Sequence, residues 1–421
     1  MSKKALLWFN QDLRTLDNPM IHWAQNHGYA VAAMAFAPRQ GSDLQKEFYL
    51  QCVADVAEKF HKQGLTFHLI DGEPSAEVER WVQANAVDIV LSQDFFNTQD
   101  RQELTKLQAK LGPQKVQTFF HQTLIDKDKL PFALPELPLV FTEFRKIVET
   151  SDCISAPVNS DLSLLQGFAP TVPAGTKIMN IQVTGSEEVF PFQIKAGETG
   201  ALARVQDYFW QSKAIAHYKN TRNGMLRKDD SSKFSLGLGC GSLSVRVLFA
   251  ELKKFEASYG ANDSTLWFFY ELLWRDYFKF LALKIGDRLF NQEGIAQKSK
   301  DWRRDDALFA NWCAGKTGAD FIDANMLELN ATGWMSNRGR QNVASYLAKT
   351  LNIDWTLGAD YFAQHLLDLD TESNWGNWLY VAGVGTDPRD RIFNYQRQAE
   401  MYDADGAYRR RWLSGSLPQE S

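Results

Sequence analysis

The 421-residue chain has little of several things that would settle its class at once. Its four cysteines, Cys52, Cys153, Cys240 and Cys313, lie far apart and form no Cys-x-x-Cys pair. Neither a zinc-ribbon pattern nor a disulfide framework is therefore encoded, no metal site is expected, and a reducing, cytoplasmic setting is. Histidine is sparse too: seven in all, with none between His217 and His365. No apolar run reaches the length of a membrane span, and the stretch from Ala5 to Phe9 breaks at Asn10 and Asp12, too early for a secretory signal. Dense Gly, Pro or Ser tracts are missing, which argues against a low-complexity tail. Excess basic charge is missing as well: the net charge is −5, so the chain as a whole carries no nucleic-acid footprint.

What is present is the composition of a globular protein, 44% hydrophobic and 23% charged. The length exceeds one comfortable hydrophobic core, so two domains are expected. Charge is uneven between them. Residues 1–200 carry 18 Lys+Arg against 24 Asp+Glu, and the remainder 28 against 27, which leaves room for a local basic patch in the second half. Tryptophan is uneven too: of 13, only Trp8, Trp23 and Trp81 precede position 200.

Short apolar runs at 5–9, 31–36, 65–70, 87–91 and 116–120 predict strands. Helical spacing fills 19–26, 44–63, 76–85 and 99–111 between them, as with Val53, Val56, Ala57 and Phe60. Strand and helix in alternation predict an α/β domain with a doubly wound parallel sheet over 1–125. Seven prolines between Pro131 and Pro191 make long helices improbable over 126–200, which is read as an extended connector packed over both domains. From 201 to 421 helices dominate, with Thr199 as an N-cap for 201–217 and further helices at 243–258, 266–284, 307–314, 321–330 and 337–351.

Four constellations carry chemistry. The run Ser231, Ser232, Lys233, Phe234 and Ser235, followed by Gly237, Gly239 and Gly241, offers hydroxyls, backbone amides and a cation before a helix, as a phosphate requires; on its own such a loop is more often only a loop. Glu271, Trp274 and Arg275 share one helix face and present an acceptor, a stacking plane and a cation, or simply an amphipathic core helix. Asn337, Arg338, Arg340 and Gln341 gather donors in the first turns of a helix, where the alternative is a capped, solvated helix start. Asp368 and Asp370 precede Asn374, Trp378 and Tyr380; the paired carboxylates suit acid–base chemistry, a divalent metal or neutralisation by Arg338 or Arg340.

In order along the chain, these motifs resemble the photolyase/cryptochrome flavoproteins. The resemblance opens on Trp8-Phe9-Asn10-Gln11-Asp12-Leu13-Arg14 with Asp17-Asn18 and continues through Tyr218, Arg222, the serine run, Glu271 to Asp276, Thr332 to Arg340, Asp354-Trp355, Asn374 to Tyr380 and Gly385-Thr386-Asp387. Val140 to Lys146 and Thr221-Arg222-Asn223-Gly224-Met225 favour the cryptochrome DASH branch. Tyr380 stands where conventional dimer photolyases have a second Trp, and Gln341 where they have Met. Six-four photolyases use active-site His, which this stretch lacks. Asn10 departs from the usual Arg, and Leu236 from Pro or a small residue.

The resemblance implies an α/β antenna domain, an all-α FAD-binding domain and blue-light cleavage of cyclobutane pyrimidine dimers. Tyr218, Ser231, Ser232, Lys233, Phe234, Ser235, Phe268, Glu271, Arg275, Asn337, Arg340, Asp368, Leu369, Asp370 and Asn374 would surround FAD, with Asn374 facing the reactive ring nitrogen. Trp302, Trp355 and Trp378 would relay electrons to the flavin; Trp23, Trp81, Trp210, Trp267, Trp312, Trp334 and Trp412 are left to packing. Trp274 and Tyr380 would flank a flipped dimer, with Glu271, Asn337 and Gln341 on its edges, and Gln398 near it. Arg222, Arg338, Arg389, Arg391 and Arg397 would meet DNA phosphates, while Arg409 to Arg411 is read as a solvated helix end. One stacking indole in place of two makes single-stranded or looped DNA the expected partner. A folate antenna, 5,10-methenyltetrahydrofolate, and a monomeric state are also implied. The rival activity is that of a blue-light photoreceptor, against which the short stretch after Trp412 counts modestly; a phosphate-binding α/β enzyme with a helical cap is a third possibility.

Overall fold

The computed structural model describes residues 2–181, 192–297, 300–385 and 392–414. In its first part the strands β1 (Lys4–Trp8), β2 (Ala30–Phe36), β3 (Phe67–Asp71), β4 (Ile89–Gln93) and β5 (Val116–Phe119) alternate with helices α1 (Pro19–His27), α2 (Asp43–Lys62), α3 (Pro74–Asn85) and α4 (Gln102–Leu111). All five strands run parallel in the order β3-β2-β1-β4-β5, so the winding reverses between β1 and β4. All seven residues of the central strand β2 are buried, because helices cover both faces. Asn18 begins α1 by accepting from the amides of Met20 and Ile21, and Gly28 ends it in the left-handed region at φ +66°.

The proline-rich stretch is more than a connector. Between Pro138 and Pro157 it forms the nine-residue helix α5 (Phe141–Glu149), and further on it adds two short strands to the sheet. β6 (Gln166–Gly167) pairs with β2 in parallel, and β7 (Lys177–Met179) lies antiparallel to β3, so one edge of the otherwise parallel sheet is reversed.

The rest is helical: α6 (Gly197–Val205), α7 (Tyr218–Thr221), α8 (Ser235–Gly239), α9 (Val245–Tyr259), α10 (Asp263–Ile285), α11 (Asp306–Cys313), α12 (Asp320–Thr332), α13 (Asn337–Ser345), α14 (Trp355–His365), α15 (Thr371–Ala382), α16 (Tyr395–Tyr402) and α17 (Ala407–Leu413). Two expectations need correction. Thr199 does not cap a helix over 201–217. The helix starts after Ala196, and Asp55 of α2 caps it from outside by accepting from the amides of Glu198 and Thr199 at 3.0 and 3.3 Å. It also ends early, giving way to a wide turn at Gln206–Gln211 and to Lys213 at φ +53°. The helix expected over 337–351 likewise loosens into a wide turn at Tyr346–Thr350.

Polar contacts join the two parts. Arg14, buried beyond β1, donates to the carbonyls of Gly241 and Asp17, each at 3.0 Å. Glu198 accepts from the Thr15 and Leu16 amides at 2.9 and 2.7 Å. Gly241 sits at φ +71°, and a Cβ there would fall 1.9 Å from the Gln11 carbonyl oxygen, so only glycine fits. Asp276 of α10 is fully buried and accepts from the Leu124 and Ile125 amides, each at 3.1 Å.

Candidate cofactor and substrate site

Helices α7, α8, α10, α13, α14 and α15 converge on a cavity of about 300 Å³. One wall is the serine run. Ser231, Ser232, Lys233, Phe234 and Ser235 all reach it, and they lead into the short helix α8, eight residues or more ahead of where the sequence had placed the following helix. Lys233 turns the chain at φ +61° and is only 4% exposed. Its ammonium donates to Ser231 Oγ at 2.9 Å and lies 4.4 Å from the ring centres of both Phe192 and Trp334. No carboxylate among the described residues forms an ion pair with it, and burial pushes its pKa down to about 8. A buried cation bonded to a hydroxyl, with Glu328, Asp230 and Asp229 near enough to favour its charge but none in direct contact, is a site for an anion.

The opposite wall holds the two aspartates. Arg340 grips Asp368 with bonds of 2.9 and 2.8 Å to its two oxygens and reaches back to the Met335 carbonyl at 2.9 Å. Asp370 is held instead by Arg275 at 2.9 Å and by Lys279 at 3.1 Å. Burial alone would raise the Asp370 carboxyl, but the Lys279 and Arg275 charges outweigh it and hold it well below the usual range. Lys279 also binds Glu372 at 2.8 Å, and Glu372 accepts from Asn97 at 2.6 Å, so the network crosses into the α/β domain. Sequence reasoning missed Lys279. Its position four residues after Arg275, on the same helix face, was the available signal.

Between these walls Asn374 spends its amide N–H on the Ala359 carbonyl at 3.0 Å, which leaves Oδ1 as an acceptor on the cavity side. Tyr218, Phe268, Glu271 and Asn337 line the cavity as expected, while Leu369 does not. Trp334, left to packing by the sequence, lines it, as do Leu238, Gly239, Met335, Phe362 and Val381. Gly239 is a close approach: a Cβ there would lie 2.9 Å from the backbone of Asp368.

The residues expected at a substrate are not all brought together. Trp274 lines the cavity and stacks on Phe141 of α5, the rings 3.7 Å apart and 12° from parallel. Arg222 is paired with Glu271; desolvation in the wall raises the Glu271 carboxyl, and Arg222 opposes that shift. Arg338 donates to Gln341 at 2.8 Å, to Asn223 at 2.9 Å and to Gln398 at 3.5 Å, which brings three of the expected residues into one cluster. Tyr380 packs half-buried against the helical core and is not on the cavity wall. Arg397 is exposed on α16, and Arg389 and Arg391 lie outside the described residues. Arg409 is not simply solvated, since it binds buried Asp403 at 2.8 Å.

Of the expected relay, Trp378 lines the cavity, while Trp355 and Trp302 are buried away from it. Trp378 lies against Gly358 of α14, and its ring neighbours are Phe362 at 5.2 Å and Trp312 at 6.2 Å. Trp355 packs on Trp375 at 5.5 Å and donates to the Gln292 carbonyl at 3.0 Å.

Two family models match the chain: DNA photolyase over residues 5–160 and the FAD binding domain of DNA photolyase over 267–417. A cryptochrome DASH of Gloeobacter violaceus is 40% identical over 98% of this chain and 86% of its own length. The crystal structure of a Synechocystis cryptochrome superposes with a TM-score of 0.92 at 36% identity, covering 99% of this chain and 90% of that one. A class III photolyase of Agrobacterium tumefaciens gives 0.85 at 26% identity, over 98% and 87%. The chain belongs to the cryptochrome DASH family.

Membership makes the C-terminal part of this cryptochrome DASH a photolyase-type FAD-binding domain. Its cavity fits that group in chemistry. The Lys233 ammonium, free of any direct ion pair beside Ser231, suits a diphosphate, the unpartnered Asn374 Oδ1 suits a ring N–H, and the Arg340–Asp368 pair with the Asp370–Arg275–Lys279–Glu372 network leaves the centre of the site close to neutral. No helix among the described residues is long and apolar enough to cross a membrane, and no group of three or more His, Cys, Asp or Glu among them is placed to hold a metal ion.

Proposed function

We propose that this cryptochrome DASH uses blue light to split cyclobutane pyrimidine dimers in DNA, with single-stranded or looped DNA as its preferred substrate. The observation that carries the proposal is the joining of an anion cradle at Lys233 and a stacking plane at Trp274 in one cavity. FAD, when bound there, would supply light-driven donation of an electron from its reduced form and take the electron back once the dimer has opened.

The protein's own residues bind, orient and exclude water. Ser231, Lys233 and Ser235 hold the diphosphate, and Asn374 Oδ1 accepts from the ring edge. The two carboxylate–cation pairs fix the wall opposite, which keeps the field around the ring constant. Trp274, backed by Phe141, offers one rigid aromatic face to a flipped dimer, while Glu271, Asn337 and Gln341 supply polar contacts to its edges. With Tyr380 off the cavity wall, a single platform offsets the cost of unstacking, and that cost is least where the strand is already unpaired. Trp378, with Trp355 and Trp302 beyond it, would return the flavin to its reduced form, and a folate, 5,10-methenyltetrahydrofolate, would serve as antenna.

The test is illumination of the reduced, FAD-loaded protein with oligonucleotides carrying one thymine dimer, as single strand, loop and duplex. Dimer loss fastest in the single strand is expected. No loss in any of the three would overturn the lyase and leave the photoreceptor.

A further inference from the structure

The four cysteines do not all stand alone. Cys52, on α2 of the α/β domain, and Cys240, which follows α8 in the helical domain, are 188 residues apart in sequence and have their sulfurs 3.5 Å from each other. Both are free thiols; Cys52 is fully buried and Cys240 partly exposed. The pair lies where the two domains meet, since the Cys240 carbonyl accepts from the Leu13 amide at 3.4 Å and the next residue is the tightly fitted Gly241.

We propose that Cys52 and Cys240 form an oxidation site that closes, on exposure to a hydroperoxide, into a disulfide clamping the two domains together. The sulfurs must approach from 3.5 Å to the bonded distance of about 2.05 Å, a change within reach of side-chain rotation. Roles divide by surroundings. Cys240 Sγ faces Cys52 Sγ and lies 3.3 Å from Ser242 Oγ, to which its thiol donates; the contact with Cys52 brings its pKa down to about 7, although burial opposes it. Cys52, donating and enclosed, is pushed well above the ordinary thiol value. Cys240, the more exposed of the two and the more readily deprotonated, is the partner that meets the peroxide. Its sulfur attacks one peroxide oxygen, the O–O bond breaks and hydroxide leaves, giving a sulfenic acid. Cys52 sulfur then attacks Cys240 sulfur, the S–O bond breaks, and the thiol proton leaves with the oxygen as water. Overall, two thiols and one hydrogen peroxide give one disulfide and two waters.

The other two cysteines serve as internal controls. Cys153 is raised by burial and Cys313 is pushed up to about 12 by the same cause, so both stay as unreactive thiols. The proposal is independent of what fills the cavity.

The experiment treats the full chain with hydrogen peroxide, then alkylates under denaturing conditions and maps peptides by mass spectrometry. A loss of 2 Da with a linked peptide pair containing Cys52 and Cys240, reversed by dithiothreitol and absent in Cys52→Ala and Cys240→Ala, is expected. The oxidised wild-type protein should also melt higher than the same sample after reduction, by about 3 °C or more for so large a closed loop. Cys240 carried on to sulfinic acid without a linked peptide, or a linked peptide with an unchanged or lower melting point, would overturn the clamp.

Discussion

Phe141 lies flat against Trp274, at 3.7 Å and 12° from parallel, although the first belongs to the proline-rich segment and the second to the helical domain. One face of the indole is therefore occupied by the protein itself. Tyr277 meets both rings edge-on, at 5.7 Å from each, which fixes the indole plane.

The first prediction follows from that stack. Phe141→Ala should leave the flavin in place while weakening the binding of dimer-containing single strands by about 3- to 10-fold, the range expected for one lost aromatic pair. Fluorescence anisotropy against dimer-free and dimer-containing oligonucleotides reads it; an equal loss for both would mean that Trp274 does not stack on the lesion.

A second concerns Lys233. Burial brings its pKa down to about 8 in the ligand-free protein, against 10.5 for an ordinary lysine. The unfolded chain holds the extra proton across that window, so stability of the ligand-free protein should rise from pH 8 to 10.5. Flavin affinity should do the reverse, since a bound diphosphate needs the ammonium, and should fall by up to about tenfold per pH unit. Lys233→Met should remove both trends and weaken flavin binding about 10- to 100-fold at pH 7. Titration of flavin fluorescence at several pH values checks this.

Acid stability gives a third. Because the Asp370 carboxyl is held well below the ordinary aspartate value of 3.8, it stabilises the fold fully above that value and loses the contribution as pH falls through its lower native value. Asp370→Asn leaves Lys279 and Arg275 with a neutral neighbour, and should cost about 3 kcal/mol at pH 7 while flattening this part of the acid limb. Thermal melts between pH 3 and 7 distinguish the two proteins.

The relay is tested at Trp378. Trp378→Phe should abolish photoreduction of the oxidised flavin with flavin content unchanged, and should cost about 1–2 kcal/mol for the space opened beside Gly358. Photoreduction at the wild-type rate would remove Trp378 from the path.

Much of this was legible in the chain, for identifiable reasons. Short apolar runs and period-3.6 spacing mark the five parallel strands and most of the helices, because burial on both faces of a strand and on one face of a helix imposes them. Lys233 and the serines were only a weak sign of an anion taken alone, because Ser/Gly loops are common, and gained weight from the ordered motifs around them. The lining by Leu238, Phe362 and Val381 was not legible, because an apolar side chain facing a cavity has the same composition as one facing the core. Thr199 misled because the cap comes from Asp55, distant in sequence. Arg222 was read as a phosphate contact when its partner is Glu271, a pairing set by tertiary approach alone. The stack of Phe141 on Trp274 and the meeting of Cys52 with Cys240 escape any local pattern for the same reason.

Gly241 has a bearing on redesign. With its missing side chain the only clearance between the Gln11 carbonyl and the chain that follows α8, the seam tolerates no spacer. An engineer wishing to exchange the α/β domain for another would have to carry over the segment from Gln11 to Arg14 intact. Grafts that cut there would misalign the serine cradle before they altered any pigment.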